Sequence, residues 1–105
     1  MVELVAERVR ARRPEFIVEH AHMEIAEPSL AEAVARCVAA GASEIVVHPY
    51  FLTSGRHTSE TIPELVATTA REHPDVKIRI SKPLGLHDKL IEVVLERLDE
   101  QFDDG

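Results

Sequence analysis

Three groups of residues in this chain combine types and spacings that could do chemistry. In the first, His20, His22 and Glu24 alternate along "EFIVEHAHMEI" and so project from one face of an extended segment. They form a row of nitrogen and oxygen ligands suited to a divalent metal. The same alternation also occurs as plain edge polarity, and His20, far from the carboxyl end of the segment, reads as structural. Glu24 stands where the segment should finish; Glu27, close to Ser29 and a helix start, reads as a carboxylate placed for the helix dipole. The second group follows an apolar run: His48, Tyr50, then Ser54, Gly55, Arg56 and His57. Gly55 permits unusual backbone, Arg56 offers a fork for carboxylates, and His57 can hold a metal or accept a proton near neutral pH. His48, next to Pro49, reads instead as a satisfied core or supporting histidine. The third group, "KPLGLH", contributes Lys82 and His87, with His87 reading as the start of the last helix. Cys37 lies on an apolar helix face and reads as core. No serine sits on a strand-turn-helix elbow, no base accompanies the cysteine, and no glycine-rich phosphate loop occurs. Histidine and glutamate beside an arginine argue for a metal together with an acidic small molecule.

The elements that must position these residues follow from apolar spacing. Val2, Val5, Ala6 and Val9 recur at helical intervals and Pro14 closes them, which predicts a helix over residues 1 to about 13. "EFIVEHAHMEI" is β-prone. "EPSLAEAVARCVAAG" puts Leu30, Val34, Cys37 and Val38 on one helix face and stops at Gly41. Ile45 to Val47 form the unbroken apolar run of a central parallel strand covered on both faces, ended by Pro49. Thr61, Pro63 and Glu64 supply the cap, first-turn proline and capping-box acid of a helix carrying Ile62, Leu65, Val66 and Thr69. That helix stops near His73, ahead of Pro74. "VKIRI" is a short strand, and "LHDKLIEVVLERLDEQF" is a final amphipathic helix with Leu86, Leu90, Val94 and Leu98. The order αβαβαβα predicts an α/β fold: a parallel sheet, right-handed crossovers and helices on both faces. A chain of this type ordinarily opens with a strand, and this one opens with a helix.

The totals bound the possibilities. A chain of 105 residues, 45% hydrophobic and 30% charged, reads as one domain with one core, residues 1–105. No apolar run reaches the length of a membrane span, and "MVELVAERVRARRP" lacks the apolar core and cleavage site of a signal peptide. A single cysteine cannot form an internal disulfide, so a cytoplasmic location is expected. The formal charge of -7 would repel a phosphate backbone, which argues against nucleic acid as a partner. A small ligand or another protein fits better.

Three stretches, "AHMEIAEPSL", "VVHPYFLTSGRHTSETIPELVATTAREHP" and "KPLGLHDKLIEVVLERL", resemble the small class II chelatases, the sirohydrochlorin ferrochelatase and cobaltochelatase family. The resemblance covers essentially the whole chain. Its specific parts are the glutamate of "MEIAEPS" and the Gly-Arg-His followed by Ile-Pro. It implies a three-layer chelatase-like domain of flavodoxin-like topology. That domain inserts Fe2+ or Co2+ into sirohydrochlorin, on the way to sirohaem or cobalamin, without ATP or an organic cofactor and as a homodimer. By position, Glu24 and His57 match residues of the family's metal-binding and catalytic site. Sirohydrochlorin carries many carboxylates, which suit Arg56 and, beside it, Gly55 and Ser54.

The same resemblance implies an opening strand that ends in a His-Gly-Ser-Arg type motif, whose histidine partners His57. This sequence holds no such motif. Residues 1–105 therefore read as an N-terminally truncated domain with its first strand missing; Met1 is an internal methionine, or the strand comes from elsewhere, or the neighbouring strands pair directly. His22 is a candidate replacement for the missing ligand. Two other readings stand beside the chelatase: a non-catalytic protein that binds metal or tetrapyrrole and delivers it, and a structural subunit pairing through exposed sheet edges.

Overall fold

The structure, a computed structural model, describes residues 1–22, 27–52 and 56–103, the side chains of 56–60 and 103 excepted. Its elements in chain order are α1 (Val2–Arg12), α2 (Leu30–Ala39), β1 (Glu44–Val47), α3 (Arg56–Glu72), β2 (Lys77–Ile80) and α4 (Asp88–Asp103). The strands β1 and β2 pair in parallel, with Ile45 opposite Ile78 and Val47 opposite Ile80. The crossover between them is α3, the βαβ unit that parallel strands require.

Local chemistry sets α2 firmly. At its start the Ser29 hydroxyl accepts the Glu32 N–H at 3.2 Å, while the Glu32 carboxylate accepts the Ser29 N–H at 3.2 Å, a complete capping box. At its end the Ala42 N–H donates to the Cys37 carbonyl and the Gly41 N–H to the Val38 carbonyl, both at 3.0 Å. This crossed pair is a Schellman motif, and it needs the left-handed backbone that Gly41 supplies at φ +102°. Between the two caps, Val34 and Cys37 are buried against Ile45, with Leu30, Val38, Ala42, Val47, Val76 and Ile78 packed around them. On α3, Ile62, Val66 and Thr69 form a second buried stripe. The Thr69 hydroxyl donates to the Leu65 carbonyl at 2.8 Å, so the one buried polar side chain among the described residues is satisfied.

Three expectations change. The β-prone stretch after Pro14 forms no strand over residues 15–22: it meets the rest of the chain only through an isolated parallel bridge between His22 and Ser29. Strand propensity is realised only beside a neighbouring strand, and among the described residues this stretch is laddered to neither β1 nor β2. Phe16 and Ile17 are consequently exposed. Second, β1 is covered on one face rather than two. Ile45 is buried, but Val46 is 57% exposed on the face where Glu44 and Arg79 form an ion pair. Third, α3 begins at Arg56, ahead of the expected cap at Thr61, and Pro63 lies inside it. Pro63 removes one N–H from the helical ladder. The buried stripe begins beside the proline at Ile62 and runs on to Thr69.

Helices α1 and α4 stand apart from this core. Ala6 is the buried residue of α1, and on α4 Ile91, Val94, Leu95 and Leu98 remain exposed. The radius of gyration is 16.3 Å, against about 13 Å for a compact chain of this length.

Candidate functional site

In an open parallel sheet, side chains just beyond the carboxyl ends of the strands face a crevice. Here β1 delivers His48 to that edge and β2 delivers Ser81 and Lys82. The Ser81 N–H donates to the Val47 carbonyl at 2.9 Å, extending the ladder by one bond and fixing Ser81 beside His48. Ser81 Oγ lies 2.8 Å from His48 Nδ1 and 3.1 Å from the Lys82 carbonyl, so His48 and Ser81 are hydrogen-bonded, with Nδ1 donating in one tautomer and accepting in the other. In the tautomer with the proton on Nδ1, an imidazole keeps a lone pair on Nε2, the atom that could bind a metal or accept a proton. Of the two readings of His48, the buried core one does not hold, since it is exposed at this edge, while its bond to Ser81 leaves it a satisfied histidine. Sequence spacing could not show this, because Ser81 is remote in the chain.

The helix start at Arg56 places Arg56 and His57 in the first turn of α3. His57 is thus on a helix N-terminus and not in a loop. The free N–H groups of such a turn favour anions, which suits an arginine chosen for carboxylates. Glu24, Ser54 and Gly55 lie outside the described residues.

His22 occupies the other side of the crevice. Its N–H donates to the Pro28 carbonyl at 2.9 Å, just ahead of the capped start of α2. Two small cavities flank it. One of about 80 Å³ reaches His48, Phe51 and Ile62, and one of about 170 Å³ runs between Leu30 on α2 and Thr69 and Glu72 on α3. Both are below the size of a pocket for even a drug-sized ligand, so a tetrapyrrole does not fit inside either. The His22 ring stands edge-on to His20, with ring centroids 5.7 Å apart at 81°. Ligand atoms of Glu3, His20 and His22 all lie within 4.8 Å of one another. Elsewhere, His87 Nδ1 accepts the Lys89 N–H at 3.1 Å, which makes His87 the start of α4 as its position suggests. Cys37 is core, and burial, with the Glu19 carboxylate as a lesser cause, pushes its thiol up from the ordinary value.

The family model described as CbiX matches residues 1–101 of this chain. The chain belongs to the CbiX family. It is 48% identical over 82 residues to the chloroplastic sirohydrochlorin ferrochelatase of Arabidopsis thaliana, covering 78% of this chain and 36% of that protein. It is 32% identical over 118 residues to the sirohydrochlorin cobaltochelatase of Methanococcus maripaludis, covering 89% of this chain and 82% of the relative. Among solved structures, the cobalamin biosynthesis CbiX protein of Marinobacter aquaeolei VT8 matches with a TM-score of 0.74 at 30% identity, over 97% of this chain and 86% of that one. The sirohydrochlorin chelatase SirB of Bacillus subtilis subspecies spizizenii, in complex with cobalt, matches with a TM-score of 0.78 at 26% identity, over 93% of this chain and 43% of that one.

The CbiX chain therefore has the α/β fold that the three resembling stretches imply, with two paired strands among its described residues. It spans about a third of the plant relative, at 36%, and most of the archaeal one, at 82%. Of the expected site residues, the structure places the backbone of Arg56 and His57 at the head of α3 and gathers His22 with His20. It adds one that spacing did not reveal, Glu3, and ties His48 to Ser81. Glu3 carries no local signal of a ligand, since it reaches the histidines only because α1 folds back over the segment that follows it.

Proposed function

We propose that this chain inserts Fe2+ or Co2+ into sirohydrochlorin, with Glu24 and His57 handling the metal and Arg56, Gly55 and Ser54 binding the substrate's carboxylates. The observation that carries the reading is membership of the CbiX family, whose plant relative, 48% identical over 82 residues, is a sirohydrochlorin ferrochelatase. The geometry is consistent with it: Arg56 and His57 stand in the first turn of α3, and His48 lies just beyond the carboxyl end of β1, hydrogen-bonded to Ser81.

Insertion exchanges two pyrrole protons for one divalent ion, so the charge balances when M2+ enters and two H+ leave. A neutral imidazole at residue 57 can hold the incoming ion and then take up a departing proton, while the carboxylate of Glu24 supplies negative charge and a second ligand. The N–H groups of the first turn of α3 and the Arg56 guanidinium offset the chain's formal charge of -7 locally and hold the carboxylate periphery of the macrocycle. The ion is a substrate here, and no organic cofactor enters the scheme. The proposal includes a homodimer acting in the cytoplasm. The exposed apolar side chains of α4 supply surface for pairing, and the buried free thiol of Cys37 suits a reducing compartment.

The test is the rate of Co2+ and Fe2+ insertion into sirohydrochlorin, followed by absorbance, against the uncatalysed rate and a His57→Ala variant. Insertion above background that His57→Ala abolishes, with circular dichroism unchanged, is the expected result. A folded His57→Ala variant with full turnover would remove His57 from the mechanism, and no insertion by the folded parent chain would remove the activity.

A further inference from the structure

A second ligand set lies beside α1, built from residues that the chelatase reading does not use together. Glu3 stands in the first turn of α1, and His20 and His22 alternate on the segment running back towards α2. Two separate ties hold these pieces of chain in place. The Arg10 guanidinium donates to the Val18 carbonyl at 2.6 Å, fastening the returning segment to α1. The His22 N–H donates to the Pro28 carbonyl at 2.9 Å, fastening its far end to the capped start of α2. Both imidazoles are half-buried and Glu3 is exposed.

We propose that Glu3, His20 and His22 bind one divalent transition-metal ion at a site that requires neither Glu24 nor His57. Their ligand atoms already lie within 4.8 Å of one another. Nitrogen and oxygen ligands bound at about 2.1 Å in a tetrahedral site stand about 3.4 Å apart, so the cluster closes by little more than an ångström. Rotation of the exposed Glu3 side chain and small turns of the two rings cover that distance. Two neutral imidazoles and one carboxylate select Co2+, Fe2+, Ni2+ or Zn2+ over Mg2+ and Ca2+, which prefer all-oxygen sites. Three protein ligands leave positions for water, so the ion is exchangeable rather than structural. Because the site is defined without tetrapyrrole, it stands independently of the insertion activity.

The experiment titrates Co2+ into the full chain carrying Glu24→Ala and His57→Ala, with no tetrapyrrole present, and reads heat and the visible absorption of bound Co2+. One Co2+ per chain is expected in this background. Loss of an outer partner of a metal ligand already weakens binding about tenfold or more, so adding His20→Ala or His22→Ala should weaken it by at least that factor. Adding Glu3→Gln, an isosteric change at an exposed helix position, should weaken it while leaving circular dichroism unchanged. Absence of Co2+ binding in the double variant overturns the proposal, as does binding that survives His20→Ala and Glu3→Gln at parental affinity. Neither result bears on insertion, which the His57→Ala rate assay reads separately.

Discussion

Replacing Ser29 by alanine tests whether the start of α2 is held by its capping box. Ser29→Ala deletes the acceptor of the Glu32 N–H and leaves the reverse bond, from the Ser29 N–H to the Glu32 carboxylate, in place; both measure 3.2 Å and both are exposed. Loss of a serine cap costs about 0.5–2 kcal/mol. The bonds are long for N–H···O and water can replace them, which places this cap in the lower half of that range, about 0.5–1 kcal/mol. In a domain of about 100 residues that corresponds to a fall in Tm of about 2–6 °C. The measurement is urea unfolding of parent and variant by circular dichroism, with hydrogen exchange at the Glu32 and His22 amides as a local readout. The midpoint should fall with the m-value unchanged, and both amides should exchange faster, because Pro28, which accepts the His22 N–H, immediately precedes the cap. Ser29→Asp should restore most of the loss. Ser29→Ala combined with Glu32→Ala should cost less than the two single changes added, since the bonds form one reciprocal unit. A Ser29→Ala midpoint indistinguishable from the parent, with unchanged exchange, would refute the claim that this box fixes α2.

At the other end of α2, Gly41→Ala should cost about 1–2 kcal/mol from backbone strain alone: φ is +102° and a Cβ there would meet no atom within 4 Å. Unchanged urea stability would show that the helix end re-forms without the left-handed residue. Cys37 should resist alkylation in the folded chain at neutral pH and react readily in urea, since it is buried and its thiol is pushed up. The folded thiol holds its proton more tightly than the unfolded one, so its contribution to stability is present below the ordinary thiol range and lost as pH rises through the raised value. The parent should therefore lose more stability than Cys37→Ala between neutral and alkaline pH, and parallel declines in the two would remove that linkage.

The parts of this fold that were legible in the sequence are those whose cause is local. Gly41 follows the last apolar position and was read as the end of α2, and the box at its start is just as local, since Ser29 and Glu32 sit three residues apart, although it went unread. His87 likewise announced the start of α4, because its partner, the Lys89 N–H, is two residues away. The misreadings share the opposite property. The stretch from Glu15 to His22 has strand composition, yet a strand exists only where another chain segment offers a ladder, and composition does not say whether one does. Pro63 reads as a helix start by every local rule. The helix nevertheless extends back to Arg56, a start that no local capping signal marks. The site divides in the same way. His22 and His57 could be marked as candidates from their neighbours, but the bond that ties His48 to Ser81 spans 33 residues. Glu3 meets His20 and His22 through the fold alone. Ligand sets assembled across elements are invisible to spacing, and they must be sought where a helix such as α1 returns the chain onto histidines already alternating along an extended segment.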